Sequence, residues 1–138
     1  MPIKMRVLVA SPKKKMMTLA QNIKNEFDLI PNAVDKIPPA YSCDKERIVI
    51  LAVPAKQNAV TEKFCKELNK TRAGNVAILI DGTADDAAAL KETLKTAGTN
   101  VVDEVFCTKC GLPFLGGVKP EENTALIAWV NRVIADLK

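Results

Sequence analysis

The chain predicts an α/β domain, a parallel sheet with helices on both faces. Three observations carry that reading. Short, uniformly apolar runs at Val7-Leu8-Val9-Ala10, Ile48-Val49-Ile50-Leu51-Ala52-Val53 and Val76-Ala77-Ile78-Leu79-Ile80 read as strands buried on both faces. The segments after them carry apolar residues at helical spacing. Strand and helix then alternate as five strand-helix units, with no internal repeat and no low-complexity stretch, which is the pattern of a doubly wound sheet.

The first strand is followed by Met16, Ala20, Ile23 and Phe27 at helical intervals, so Ser11 to Lys15 form a strand-to-helix loop. In a parallel sheet such a loop lies at the carboxyl end of the strand, where ligands sit and where helix-opening N–H groups face an anion. Pro31 and Asn32 break the chain, and Ala33 to Ile37 alternate weakly as a short strand that Pro38-Pro39 ends, which suits a sheet edge. Ile48 to Val53 is a central strand, followed by the loop Pro54-Ala55-Lys56-Gln57-Asn58 and a helix whose predicted stripe is Val60, Phe64 and Leu68. Gly74-Asn75 precedes the next strand, after which Thr83 is the predicted N-cap of a helix carrying Ala87, Leu90, Leu94 and Ala97, with Asp85 and Asp86 in its first turn and Gly98 as its C-cap. Val101 to Phe106 is the last predicted strand. A glycine- and proline-containing loop leads from it to a final helix with Leu126, Trp129, Val130, Val133, Ile134 and Leu137 on one stripe.

The length of 138 residues predicts a single domain, 1–138, large enough for one buried core. An apolar fraction of 48% beside 26% charged residues is that of a soluble globular protein. No apolar run approaches a membrane span and the N-terminus lacks a long hydrophobic region, so the expectation is a cytoplasmic protein with no membrane partner. The net charge of +4 is spread along the chain apart from Lys13 to Lys15, without basic tract or stacking aromatics, and so predicts no nucleic-acid partner. Histidine is absent, which excludes Ser-His and Cys-His catalytic pairs and removes the commonest metal ligand.

The element order and loop positions resemble the flavodoxins over nearly the whole chain. That family's first loop reads Ser/Thr-x-Thr-Gly-Asn-Thr, then Glu-x-x-Ala-x-x-Ile, and wraps the FMN phosphate. Here Ser11, Ala20 and Ile23 match, whereas Lys13, Lys14, Lys15 and Met16 stand where the family has Thr, Gly, Asn and Thr. Pro54 matches the start of the family's Pro-Thr-Tyr-x-Gly loop, and Gly82 with a neighbouring acid resembles its Gly-x-Gly-Asp loop, but neither loop here has an aromatic to stack on a flavin. Gly117-Val118-Lys119-Pro120-Glu121-Glu122 is similar to the family's Gly-x-Pro-x-Glu-Glu with one residue inserted.

The resemblance implies a flavodoxin-like three-layer sandwich with a five-stranded parallel sheet in the order 2-1-3-4-5. It also implies an FMN-binding electron carrier with a redox protein as partner. In that arrangement Ser11, Lys13, Lys14, Lys15 and Met16 would hold the phosphate, while Pro54, Ala55, Lys56, Gln57, Asn58 and Asp81, Gly82, Thr83, Ala84, Asp85 would flank the ring. No residue of the chain would be catalytic, since the cofactor carries the chemistry. The alternative is a flavin-free binding or regulatory module that uses the same loop edge for another anion or a protein, because fold alone does not choose.

The lysines are either an anion site or a solvated basic loop, and Ser11 and Thr18 are candidate hydroxyl donors. Cys107-x-x-Cys110 is a candidate redox thiol pair; the simpler reading is packing, and a zinc site would need Cys43 and Cys65, so no metal is assigned. Asp81, Asp85 and Asp86 would suit Mg²⁺ beside a phosphate, or helix capping. Trp129 is expected in the core and Tyr41 on the surface.

Overall fold

The computed structural model describes residues 3–137. β1 (Met5–Val9) leads into α1 (Lys14–Glu26), and a 3₁₀ turn at Pro31–Ala33 enters the edge strand β2 (Val34–Lys36). β3 (Ile48–Pro54), α2 (Ala59–Lys66), β4 (Asn75–Asp81) and α3 (Ala88–Ala97) follow, then the short strands β5 (Asn100–Val101) and β6 (Phe106–Thr108) and the closing helix α4 (Pro120–Ala135). All strand pairs are parallel, in the order β2-β1-β3-β4-β5, and β6 also pairs with β4. This is the flavodoxin-like three-layer arrangement that the resemblance implies.

The period-2 alternation of the strands divides the core into two. Val7, Val9, Ile50, Ala52, Ala77 and Leu79 face α1 and α4, whereas Leu8, Val49, Leu51, Val53, Ile78 and Ile80 face α2 and α3. Each fully buried aliphatic side chain in these layers contributes about 1.5–3 kcal/mol through removal from water. Trp129 lies wholly inside the first layer, its ring 5.6 Å from that of Phe106, and its indole N–H donates to the Glu104 carbonyl at 2.9 Å.

Three expectations are corrected. The last strand, predicted as one run over 101–106, is broken into β5 and β6 because Asp103 and Glu104 turn outward. Trp129 and Lys91 then take the two carbonyls, and Arg132 holds the Glu104 carboxylate at 2.6 and 3.0 Å. The buried stripe of α2 runs through Thr61, Cys65 and Leu68, leaving Val60 exposed and Phe64 half-buried. Four α-helices are found among the described residues, not five, since no helix follows β2. The segment 37–47 crosses the sheet face instead, and Cys43 plugs into the α2–α3 layer.

Candidate functional site

At the carboxyl edge of the sheet, β1, β3 and β4 deliver the three predicted loops side by side. Pro54 pairs with Asp81 in register, and a Cβ built on Gly82 would lie 3.1 Å from that of Ala55. The first loop places three lysines at the opening of α1. Cations there oppose the helix dipole, at a cost of about 0.3–1 kcal/mol each, unless anions answer them. They are answered. Lys13 Nζ lies 3.0 Å from Asp81 Oδ2, and Lys15 Nζ lies 2.7 Å from Glu122 Oε1.

The same two lysines reach backbone carbonyls of the loop after β6, Lys13 to Cys110 at 3.4 Å and Lys15 to Lys109 at 3.0 Å. That loop also closes the helix mouth directly, because the Lys14 N–H donates to the Pro113 carbonyl at 2.8 Å. Lys14 packs its stem against Gly116, where an added Cβ would come within 2.9 Å of Lys14 Cγ. Met16, assigned to the phosphate loop from its position, is buried in the core under α1. Ser11 Oγ accepts the Lys13 N–H at 3.2 Å, and Thr18 Oγ1 donates to the Lys14 carbonyl at 3.1 Å, so both hydroxyls serve the local backbone.

In the second loop Gln57 donates to the Pro54 and Ala55 carbonyls, Asn58 Oδ1 caps α2 by accepting the Thr61 N–H at 2.8 Å, and Lys56 is exposed. In the third, Thr83 and Asp86 bond reciprocally. The Thr83 N–H donates to Asp86 Oδ2 at 2.8 Å and the Asp86 N–H to Thr83 Oγ1 at 3.4 Å. The N-cap expectation for Thr83 is corrected: Ala84 precedes the 3₁₀ turn Asp85–Ala87 and Ala87 precedes α3, neither with a side-chain cap, because the 3₁₀ turn intervenes between Thr83 and the helix. Ala84 and Asp85 are exposed.

Asp81 is the junction of the edge. Its carboxylate accepts the Cys110 N–H at 3.0 Å as well as Lys13. Burial alone would push its pKa up; the Cys110 N–H and the Lys13 ammonium outweigh this and hold it below the usual carboxylate range. Glu122 behaves alike, with burial opposed by hydrogen bonds from Lys15 and from Thr108 Oγ1, the latter at 2.6 Å. Glu122, Thr108 and the Pro113 carbonyl were missed by sequence reasoning. The available signal was Glu122 in the Gly117 to Glu122 run before α4, read only as part of the flavodoxin resemblance.

Cys107 is exposed and Cys110 half-buried, both free thiols. Burial, reinforced by the Asp81 charge, pushes the Cys110 thiol up to about 11, so it is not an activated thiolate. Cys43 and Cys65 lie in the α2–α3 layer, and burial pushes Cys65 up to about 12. Among the described residues no group of three or more acids and cysteines gathers as a metal site.

Beside the closed mouth is an open crevice of about 540 Å³. Lys15, Lys109, Lys119 and Cys107 line it, together with Glu121 and Glu122. Lys109 and Lys119 are exposed, and among the described residues neither forms an ion pair. No helix among the described residues is long and apolar enough to cross a membrane. Neither a protein-family model nor a curated protein matches the chain.

Proposed function

We propose that the protein is a flavin-free binding module on a flavodoxin-like fold, taking a small anion in the crevice between Lys109 and Lys119. The observation that carries this is the Lys14 N–H on the Pro113 carbonyl. The amide that would meet a phosphate at the α1 mouth already has an acceptor from the chain itself, and Lys13 and Lys15 are already neutralised. Lys109 and Lys119, which form no ion pair among the described residues, line the neighbouring crevice beside Glu121 and Glu122, and they turn the reading to it. Ammonium groups act there as point charges for an oxyanion, with no requirement for a planar partner.

A second reading, an FMN electron carrier with a redox protein partner, is favoured by one observation. Loops 11–16, 54–58 and 81–85 adjoin at one sheet edge, through Lys13 to Asp81 and Ala55 to Gly82. Against it stands the lack of a ring-stacking aromatic in any of the three.

One titration separates the two. The purified protein is expected to be colourless and its melting temperature indifferent to added FMN, while phosphate or sulfate raises that temperature and shifts the Lys109 and Lys119 amide resonances. A ligand at 100-fold its Kd adds about 2.7 kcal/mol. For a chain of this length that corresponds to a rise of about 9 °C. Quenching of FMN fluorescence together with thermal stabilisation would overturn the flavin-free reading in favour of the carrier.

A further inference from the structure

The loop between β6 and α4 carries an exposed apolar turn. Leu112, Phe114 and Leu115 are 56%, 69% and 51% exposed, and the Leu115 N–H donates to the Leu112 carbonyl at 3.0 Å, with Pro113 at the position where a β-turn favours it. The turn is anchored on both sides of its proline. Lys15 Nζ, Lys13 Nζ and the Lys14 N–H hold the Lys109, Cys110 and Pro113 carbonyls, and Asp81 holds the Cys110 N–H at 3.0 Å. Large apolar side chains scattered singly over a surface are ordinary, whereas three presented by one anchored turn form a patch that a partner covers.

Charge decides the partner. The two ends of the same loop line the crevice of about 540 Å³, with Lys109 at one end and Gly117 and Lys119 at the other. Lys109 and Lys119 are exposed and form no ion pair among the described residues, and the same holds for Lys14, whose stem packs against Gly116. Of the two crevice acids, Glu122 is answered by Lys15 at 2.7 Å, which leaves Glu121. Three unanswered ammonium groups against one carboxylate make the surroundings of the turn positive, and their complement is an apolar surface rimmed by carboxylates. A recess beside the turn favours a protein segment, whose side chains enter it, over the flat face of an anionic lipid layer.

We propose that the turn from Leu112 to Leu115 is a docking surface for a segment of a partner protein in which carboxylates flank large apolar side chains. The apolar groups cover Leu112, Phe114 and Leu115, and the carboxylates meet Lys109 and Lys119 in the crevice. This deepens the anion reading of the crevice and rests on its free lysines; it names the anion as a carboxylate carried by a protein.

The test is a heteronuclear NMR titration of the whole protein with short acetylated, amidated peptides, added singly, that combine Asp or Glu with Leu, Ile or Phe. Two control sets replace the acids by Asn or Gln and the apolar residues by Ser, and inorganic phosphate reports on the crevice alone. Saturable shifts over residues 109–119 are expected for the acidic apolar peptides, each control set binding weaker by about fivefold or more, and binding is expected to weaken in about 1 M salt, where charges are screened beyond about 3 Å. Phe114→Ser, at an exposed position outside the core, is expected to weaken peptide binding by about fivefold or more and to leave the phosphate shifts of Lys109 and Lys119 unchanged. Phosphate shifts without peptide binding up to about 1 mM, where a Kd in the high micromolar range would register, overturn the docking proposal and leave the crevice reading standing. Peptide binding without a response to phosphate upholds the docking surface and overturns the small-anion reading. Control peptides binding as well as the acidic apolar set, or Phe114→Ser binding like the unaltered protein, overturns the docking proposal, as does pelleting with phosphatidylserine-containing vesicles in place of peptide binding.

Discussion

Asp81 is expected to hold the carboxyl edge together, and Asp81→Ala measures it. The substitution strips the acceptor from two donors, the Cys110 N–H and Lys13 Nζ, each at 3.0 Å. The half-buried amide left without a partner costs about 1–3 kcal/mol. The Lys13 side chain is 32% exposed, so solvent screens its share to about 0.5–1 kcal/mol. The expected loss is therefore about 1.5–4 kcal/mol, a fall of about 5–14 °C in melting temperature for a domain of this length. Asp81→Asn keeps an acceptor for Cys110 and removes only the charge, and is expected to cost about 1 kcal/mol or less.

The pH dependence fixes the sign. The folded pKa of Asp81 lies below its unfolded value of about 3.9, so the charge contributes stability that is fully present above that value and is lost as pH falls through the folded pKa. Chemical denaturation of the wild type and Asp81→Asn should therefore give a constant difference from neutral pH down to about pH 5, shrinking towards zero below the folded pKa. Amide exchange at Cys110 should accelerate in Asp81→Ala and much less in Asp81→Asn. Equal losses for the two variants, or a wild-type to Asp81→Asn difference undiminished in strong acid, would refute the reasoning.

Two further outcomes follow from the geometry. Alkylation at neutral pH should modify exposed Cys107 first, Cys110 more slowly because burial and Asp81 oppose its thiolate, and Cys43 and Cys65 only on unfolding; mass mapping after timed quenching checks the order, and Cys110 reacting first would contradict it. Gly98 ends α3 at φ +108°, with its N–H on the Leu94 and Lys95 carbonyls, so Gly98→Ala should destabilise by about 1 kcal/mol through backbone strain alone, since a Cβ there meets nothing within 4 Å. Urea unfolding gives that value, and a neutral substitution would show the left-handed conformation to be unnecessary.

The two-layered core is legible in the residues alone. Uniform apolar runs and helical stripes state which residues leave water, and burial is non-directional, so Val7, Ile50, Leu79 and Trp129 find the core from composition and period alone. The parallel sheet and the position of its carboxyl edge follow from the same pattern, whereas the strand order was implied by the flavodoxin resemblance. The charge state of that edge rests on contacts between distant segments. Whether Lys13 and Lys15 greet an anion or are neutralised depends on Asp81 and Glu122, which arrive from 68 and 107 residues along the chain. Charge pairing and hydrogen bonding are short-ranged and directional, so no local window of the sequence contains both partners. The same holds for Arg6, whose Nη1 meets the Tyr41 carbonyl from 35 residues along the chain.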